Sequence, residues 1–290
     1  KLTGMCKTDR ENYEKYWDDI SPFIKFGCIK DEKFCERMME YVLFKDLDGK
    51  YTTMNEYLEA EKPADGDADK VEEKTEEKTE EKADGEEKEA LKTTIYYVTD
   101  EIQQSQYINM FREQKMNAVI LKDNIDNPFI SHLEAKNEKV KFQRIDADVT
   151  DSMKEEVSEE ELKGETDALT ALFRKALNND KLEVKVEKLK NEKVSSMITL
   201  SEENRRMQEM MKMYNMYGMD PSMFGTTTTL VLNANNALVK YLFQNPEGEH
   251  SNMICEQLYD LAMISHQPLS PEAMTKFVNR SNEIMMLLTK

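Results

Sequence analysis

Histidine is scarce in this chain. Only 3 occur in 290 residues, His132, His250 and His266, and they read as isolated from one another. Acid–base chemistry near neutral pH leans on histidine, and transition-metal sites recruit it, so both are disfavoured. The four cysteines, Cys6, Cys28, Cys35 and Cys255, lack metal-ligand spacing and read as free thiols of a reducing cytoplasm. No run of about eighteen apolar residues could cross a bilayer, and no apolar signal core opens the chain, which argues against a membrane partner. Positive charge is in deficit, 40 Lys and Arg against 58 Asp and Glu for a net −18, so no basic stripe exists to neutralise phosphates. Nucleic acid is thereby disfavoured as a partner. The 9 glycines form no Gly-rich loop after either of the first two strands of the α/β stretch described below, which removes a phosphate cradle there.

What is present is patterned. The chain opens on Lys1-Leu2-Thr3 without an initiator Met, as expected of a piece of a longer soluble protein. Residues 10–27 begin as an amphipathic helix with Tyr13, Tyr16, Trp17 and Ile20 at helical spacing, bent at Ser21-Pro22 and ended by Gly27. Asp31 can cap a second helix carrying Phe34, Met38, Met39, Val42 and Leu43. Asp46-Leu47-Asp48-Gly49-Lys50-Tyr51 imitates the middle of a calcium loop. In that register the first ligand falls on Phe44 and the twelfth on Asn55, so it reads as a turn before a short helix, Thr53 to Leu58.

Residues 61–92 change composition. Within 61–89 there are 14 acids against 6 lysines, in a period-four repeat that would stack like charges on a helix. A solvated insert with no apolar stripe is the expectation. Thr94–Val98, Ala118–Leu121 and Val140–Ile145 then read as strands. Between them lie a helix from Glu101 to Lys115 (Ile102, Tyr107, Met110, Phe111) and one from Ile125 to Leu133, implying a small parallel sheet. Asp146 to Glu160 is acidic and reads as a linker. A helix with Leu169, Leu172, Phe173 and Ala176 follows. Leu182–Glu187 alternates like a half-buried antiparallel strand, Ser196–Leu200 and Thr226–Leu232 supply two more, and Asn233 is placed to cap a helix, Ala234–Phe243.

Two stretches could carry function. Ser201-Glu202-Glu203 starts a helix expected to run to Tyr217, on which Met207, Met210, Met211, Met213, Tyr214 and Tyr217 fill an arc of roughly 160° while Met216 and Met219 fall outside it. Methionine repacks against many partners, so the stretch is either an adaptable surface for other proteins or a Met-filled core helix. The tail holds two helices, about Ser251–Ser265 with Ile254, Leu258, Leu261, Ala262 and Ile264, then one opened by Ser270-Pro271-Glu272. The second carries Met274, Phe277, Val278, Ile284, Met285 and Leu288. Such a pair either caps its own sheet or joins its symmetry copy in a four-helix bundle.

The order of landmarks resembles the heat shock protein 90 family, bacterial HtpG type. These landmarks are Tyr13-Glu14-Lys15-Tyr16-Trp17, then Tyr51-Thr52-Thr53 to Tyr57-Leu58, then Ile95-Tyr96-Tyr97-Val98-Thr99. Ala118-Val119-Ile120-Leu121 before Ile125-Asp126, and the path from Ser195 through the Met-rich helix, the strand and Asn-Ala-Asn-Asn-Ala into a helix, complete the set. The resemblance covers nearly the whole chain except the acidic insert. It implies a fragment of a cytoplasmic chaperone, the later middle domain followed by the dimerisation domain. The ATP and Mg site would belong to the parent protein, with no cofactor, no metal and no catalytic residue in this stretch.

It implies two partners: a second copy of the chain, and partly unfolded client proteins. Client contacts would fall on Met207, Met210, Met211, Met213, Tyr214 and Met216, and on Phe129 in the α/β module. The homodimer would use Ile254, Leu258, Leu261, Met274, Phe277, Val278, Ile284, Met285 and Leu288.

The expected fold class is α/β plus α+β, a small parallel βαβαβ module with preceding helices, then a C-terminal α+β domain with a mostly antiparallel sheet and a helical bundle. Expected divisions are 1–60 helical, 61–92 acidic insert, 93–148 α/β, 149–160 linker and 161–290 dimerisation domain. Two alternatives stand beside the chaperone reading: a purely structural dimerisation module, and a small α/β enzyme with a helical tail.

Overall fold

The computed structural model describes residues 2–60, 93–201, 204–206 and 228–289. In chain order the elements are helices α1 (Leu2–Thr8), α2 (Arg10–Lys30) and α3 (Glu32–Met38), strands β1 (Leu43–Asp46) and β2 (Tyr51–Thr53), and α4 (Met54–Ala60). After the acidic segment come β3 (Thr93–Val98), α5 (Ser105–Glu113), β4 (Val119–Ile120), α6 (Asp126–Lys136) and β5 (Val140–Arg144). The remainder is α7 (Glu159–Leu177), β6 (Glu183–Glu187), β7 (Ser196–Thr199), β8 (Thr229–Asn233), α8 (Ala237–Gln244), α9 (Ser251–Ile264) and α10 (Pro271–Leu287). These pack as two compact units, Lys1–Thr99 with Asn117–Gln143, and Asp100–Met116 with Arg144–Lys290. The protein is mixed α/β with two mixed sheets.

In the first unit the sheet runs β2-β1-β4-β3-β5, with β1 antiparallel to both neighbours and β3 parallel to β4. The β1–β2 hairpin is absent from the sequence reading, which put Val42 and Leu43 on a helix. Backbone at Val42 is extended, and the helix it was assigned to stops at Met38 before a short 3₁₀ turn. The hairpin turn is built by Asp46, whose Oδ1 accepts from the amides of Asp48 (2.9 Å) and Lys50 (2.8 Å), with Gly49 at φ 80°. The calcium-like pattern is therefore an Asx-type turn. α4 opens on a capping box: Thr53 Oγ1 accepts from Glu56 N, and Glu56 Oε2 accepts from Thr53 N.

α2 passes straight through Pro22 and Gly27 to Lys30, where a bend and a stop were expected. Ile24, Lys25 and Cys28 on its later turns are all buried, and that packing outweighs the lost proline hydrogen bond. Gly27 marks a close approach instead of an end: a Cβ there would lie 2.8 Å from the Phe34 ring. Asp31 does cap α3, accepting from Phe34 N. Tyr13 and Trp17 are buried, but Tyr16, read as core-facing, is exposed beside Phe23 (78% exposed) and Phe26. Lys25 reaches across to form a buried ion pair with Asp126 at the start of α6.

In the second unit three strands run β6-β8-β7, β6 parallel to β8 and β7 antiparallel to it. The expected antiparallel β6 is thus corrected. Alternation reports which face is wet and says nothing of partner direction, and only Val186 in β6 is buried. Asn233 does not cap the following helix; Asn236 does, accepting from Leu238 N. Asn233 is fully buried and holds the loop before β7 in place. It accepts from Leu189 N (3.0 Å) and donates to the carbonyls of Asn191 (3.0 Å) and Val194 (2.7 Å). The expected helix from Glu101 shortens to α5, because the Asp100 carboxylate accepts from Ile102 N and Gln103 N and sets a turn first. Tyr107 on α5 donates to Ile198 O on β7 at 2.6 Å in the buried interior.

Candidate interaction surface

The last two helices form a hairpin whose construction leaves an apolar face open. α10 begins at Ser270, whose hydroxyl accepts from Ala273 N, with Pro271 at the first helical position. α9 is half sunk into its own unit: Cys255, Leu258 and Ala262 are in the core with Leu169, Phe173, Ile198 and Leu232. α10 is held to α9 by a polar fork. The buried Arg280 donates from Nε to Gln257 Oε1 (2.9 Å), from Nη1 to Glu256 Oε2 (2.8 Å) and from Nη2 to Asp260. Gln257 Nε2 also donates to Ser281 Oγ at 3.1 Å.

Arg280 sits roughly 120° around α10 from the line Met274, Val278, Ser281, Met285, Leu288. That spacing, alternately four and three residues apart, is the seam of helix pairing. Anchored on its polar flank, α10 presents the apolar residues of this line to solvent: exposure rises from Met274 (40%) through Val278 and Met285 to Leu288 (84%), while Ser281 is held by Gln257. Leu261 of α9 is exposed as well, while Phe277 and Ile284 are half-buried.

The structure sorts the sequence candidates. Leu261, Met274, Phe277, Val278, Ile284, Met285 and Leu288 belong to the hairpin's accessible or half-accessible surface. Leu258 does not, being a core residue 1% exposed, and Ile254 packs partly buried against that core. Phe129 is corrected more strongly. Phe129 is 0% exposed in the core of the first unit, where it serves as a packing residue and not as accessible surface. The five methionines and Tyr214 lie outside the described residues. Before them, Ser201 Oγ accepts from Asn204 N at 3.3 Å and residues 204–206 are helical, matching the expected cap.

Several functional features were missed. Arg280 was not singled out, although Glu256 and Asp260 at i, i+4 on the facing helix are a readable acidic pair. Met286 and Leu287 add exposed apolar surface beside the seam. Two of the histidines read as isolated have partners. His132 Nε2 is 3.5 Å from Cys35 Sγ, and His266 Nδ1 is 3.3 Å from Asp146 Oδ2. His266 sits in the α9–α10 connection, so the buried Asp146 lies against the base of the hairpin. Burial would raise the Asp146 carboxyl, but His266 and Arg144 outweigh it and hold it well below the ordinary carboxylate range.

With this geometry in hand, comparison with known proteins is decisive. The family described as Hsp90 protein matches residues 86–290, well over half of the chain. The chain belongs to the Hsp90 family. Chaperone protein HtpG of Bacteroides thetaiotaomicron is 33% identical over 86% of this chain and 34% of its own length. That of Bacteroides fragilis (strain YCH46) is 32% identical over 88% and 35%. HtpG of Colwellia psychrerythraea is 22% identical across 100% of this chain and 41% of its own length. The chain therefore spans about a third of the length of the curated Bacteroides relatives it matches. In Hsp90 terms the resemblance to the bacterial HtpG type holds, and no helix among the described residues is long and apolar enough to cross a membrane.

Proposed function

We propose that this chain is the self-pairing and client-holding part of an HtpG-type chaperone working in the cytoplasm. The observation that carries the pairing is the α10 seam: apolar residues at helix-pairing spacing, exposed, on a helix that Arg280 fixes from its polar side. A second copy applied about a two-fold axis would cover that seam and complete a four-helix bundle. Client holding rests on the methionines at 207, 210, 211, 213 and 216 and on the names of the relatives. No residue is assigned a catalytic role, and the ATP chemistry of the parent protein is placed elsewhere in it.

Solution mass by light scattering across a micromolar dilution series tests the pairing. A mass near twice 33.9 kDa is expected, falling to the monomer in a Phe277→Asp/Leu288→Asp variant. A wild-type monomer at every concentration would overturn it. A structural dimerisation module without client contact is the second reading, favoured by the burial of Phe129. Replacing Met210, Met211 and Met213 with Ser separates the two. Loss of aggregation suppression in a chain that still dimerises supports client holding, and unchanged suppression removes it.

A further inference from the structure

The second unit has an open sheet edge with a groove beside it. β6 borders β8 on one side only. Along its other side the chain begins to pair and then leaves: Glu155 N donates to Lys188 O (2.8 Å), Lys190 N donates to Met153 O (3.0 Å), and Lys154 bridges Leu189 in antiparallel fashion. Past Glu155 the backbone turns off into α7. Residues 183–187 are left without a second strand among the described residues. The space so opened, between β6 and the first turns of α7, is a groove of about 840 Å³.

Its floor is apolar, made by Val157, Leu162 and Val186, and its rim carries an excess of carboxylates over Lys154, Lys163 and Lys185. Lys154 and Lys185 both spend their charge on Glu187, at 3.2 and 2.8 Å. Glu155, Glu156 and Glu160 stand exposed at the rim with no ion pair among the described residues. An unpaired edge offers backbone donors and acceptors to any extended chain, and the side chains of that chain then alternate between floor and rim.

We propose that this groove binds an extended, basic peptide segment of another protein by strand addition to β6. Lysine or arginine would meet the three glutamates, and β-branched residues at alternate positions would meet Val157 and Val186. A second copy of β6 is disfavoured, because it brings Glu183 and Glu187 against the single Lys185 to a rim already rich in carboxylates. Antiparallel self-pairing about Lys185 would in addition set Glu183 opposite Glu187 and Lys185 opposite itself, like charge on like charge. The site shares no residue with the α10 seam or the Met-rich stretch, so it stands apart from the proposed function.

The test uses the whole chain and a fluorescein-labelled Lys-Val-Lys-Val-Lys-Val-Lys peptide, read by anisotropy. Three outcomes together are expected. The peptide binds and slows hydrogen exchange at 184–187. A Glu155→Gln/Glu156→Gln/Glu160→Gln variant, all at exposed positions, binds it about tenfold more weakly. A peptide N-methylated at alternate residues, with its charge intact, also loses about tenfold because it cannot complete the ladder. Equal binding of the N-methylated peptide would reduce the effect to charge attraction and overturn the proposal. So would protection that maps to another segment, an unaffected triple variant, or no binding at all. Dimer mass measured on the same samples reports independently on the α10 seam.

Discussion

Each unit ties two helices together with a cation and carboxylates, and the two ties do opposite things. In the first unit Lys25 and Asp126 meet in the interior, with side chains 6% and 3% exposed, and join α2 to α6. That pair is surrounded by core and closes it. In the second unit the buried Arg280 reaches out to the rim of the hairpin, with Glu256 substantially wet and Asp260 largely covered. That fork takes over the attachment of α10 and leaves its apolar seam free for something else. A buried pair is weak as a source of stability and costly to break, because the surviving charge has nowhere to go. A rim pair is cheaper to lose but decides which face of a helix is exposed.

The largest way to break the comparison is at Lys25. Lys25→Ala leaves Asp126 buried and uncompensated, in a place where burial already pushes its carboxyl upward against the pull of Lys25. A loss of about 3–5 kcal/mol is expected, with most of it recovered in Lys25→Met/Asp126→Leu. Urea unfolding followed by the fluorescence of Trp17, the single tryptophan and a core residue of this unit, measures it. A small effect of Lys25→Ala would mean that the two ties are alike.

Asp146 comes next. Its carboxyl titrates below the ordinary range in the folded protein, so its stabilisation is complete above about pH 4 and is lost as pH falls through the folded value. Asp146→Asn should cost about 2–3 kcal/mol at pH 7. The gap to the unsubstituted protein should close in acid, because the native carboxylate then loses its charge and the amide has none to lose. Alkylation of the buried Cys255, the lone thiol of the second unit, reports this opening. A gap independent of pH would assign Asp146 a neutral hydrogen-bonding role instead. Arg280→Ala follows at about 1–2 kcal/mol, discounted because Glu256 stays in contact with water. It should also weaken self-association, though it alters no residue of the seam, since α10 loses the anchor that orients it.

How much of this was legible follows from which interactions are local. Ser270-Pro271, Asp31 and Ser201 were readable because a cap is a contact within one turn. The apolar seam of α10 was readable because helical spacing survives whatever the helix packs on. Phe129 and Leu258 misled because periodicity tells that a face is apolar and not what covers it. The β1–β2 hairpin was hidden because Val42 and Leu43 continue a helix-compatible apolar pattern, while the strand that starts at Leu43 is set by its pairing with Thr53. Asn233 looked like a cap, and its real work is spread over residues about forty positions away. The Lys25–Asp126 tie spans 101 positions, and no pattern in either helix announces it.

The smallest expected effect is the most informative about the rim. Val278 lies on the seam between Met274 and Ser281 and is nearly half exposed in the single chain. Val278→Ser removes little packing within the chain, so unfolding of the second unit should shift by no more than about 0.5 kcal/mol. In a bundle the same side chain would be fully enclosed, and a buried hydroxyl in its place would want a partner. Dimer dissociation should therefore move by about tenfold per substituted interface while Cys255 protection stays as it was. If stability falls instead and the mass is unchanged, the seam packs against its own chain, and the rim fork would then be closing a core just as Lys25 does.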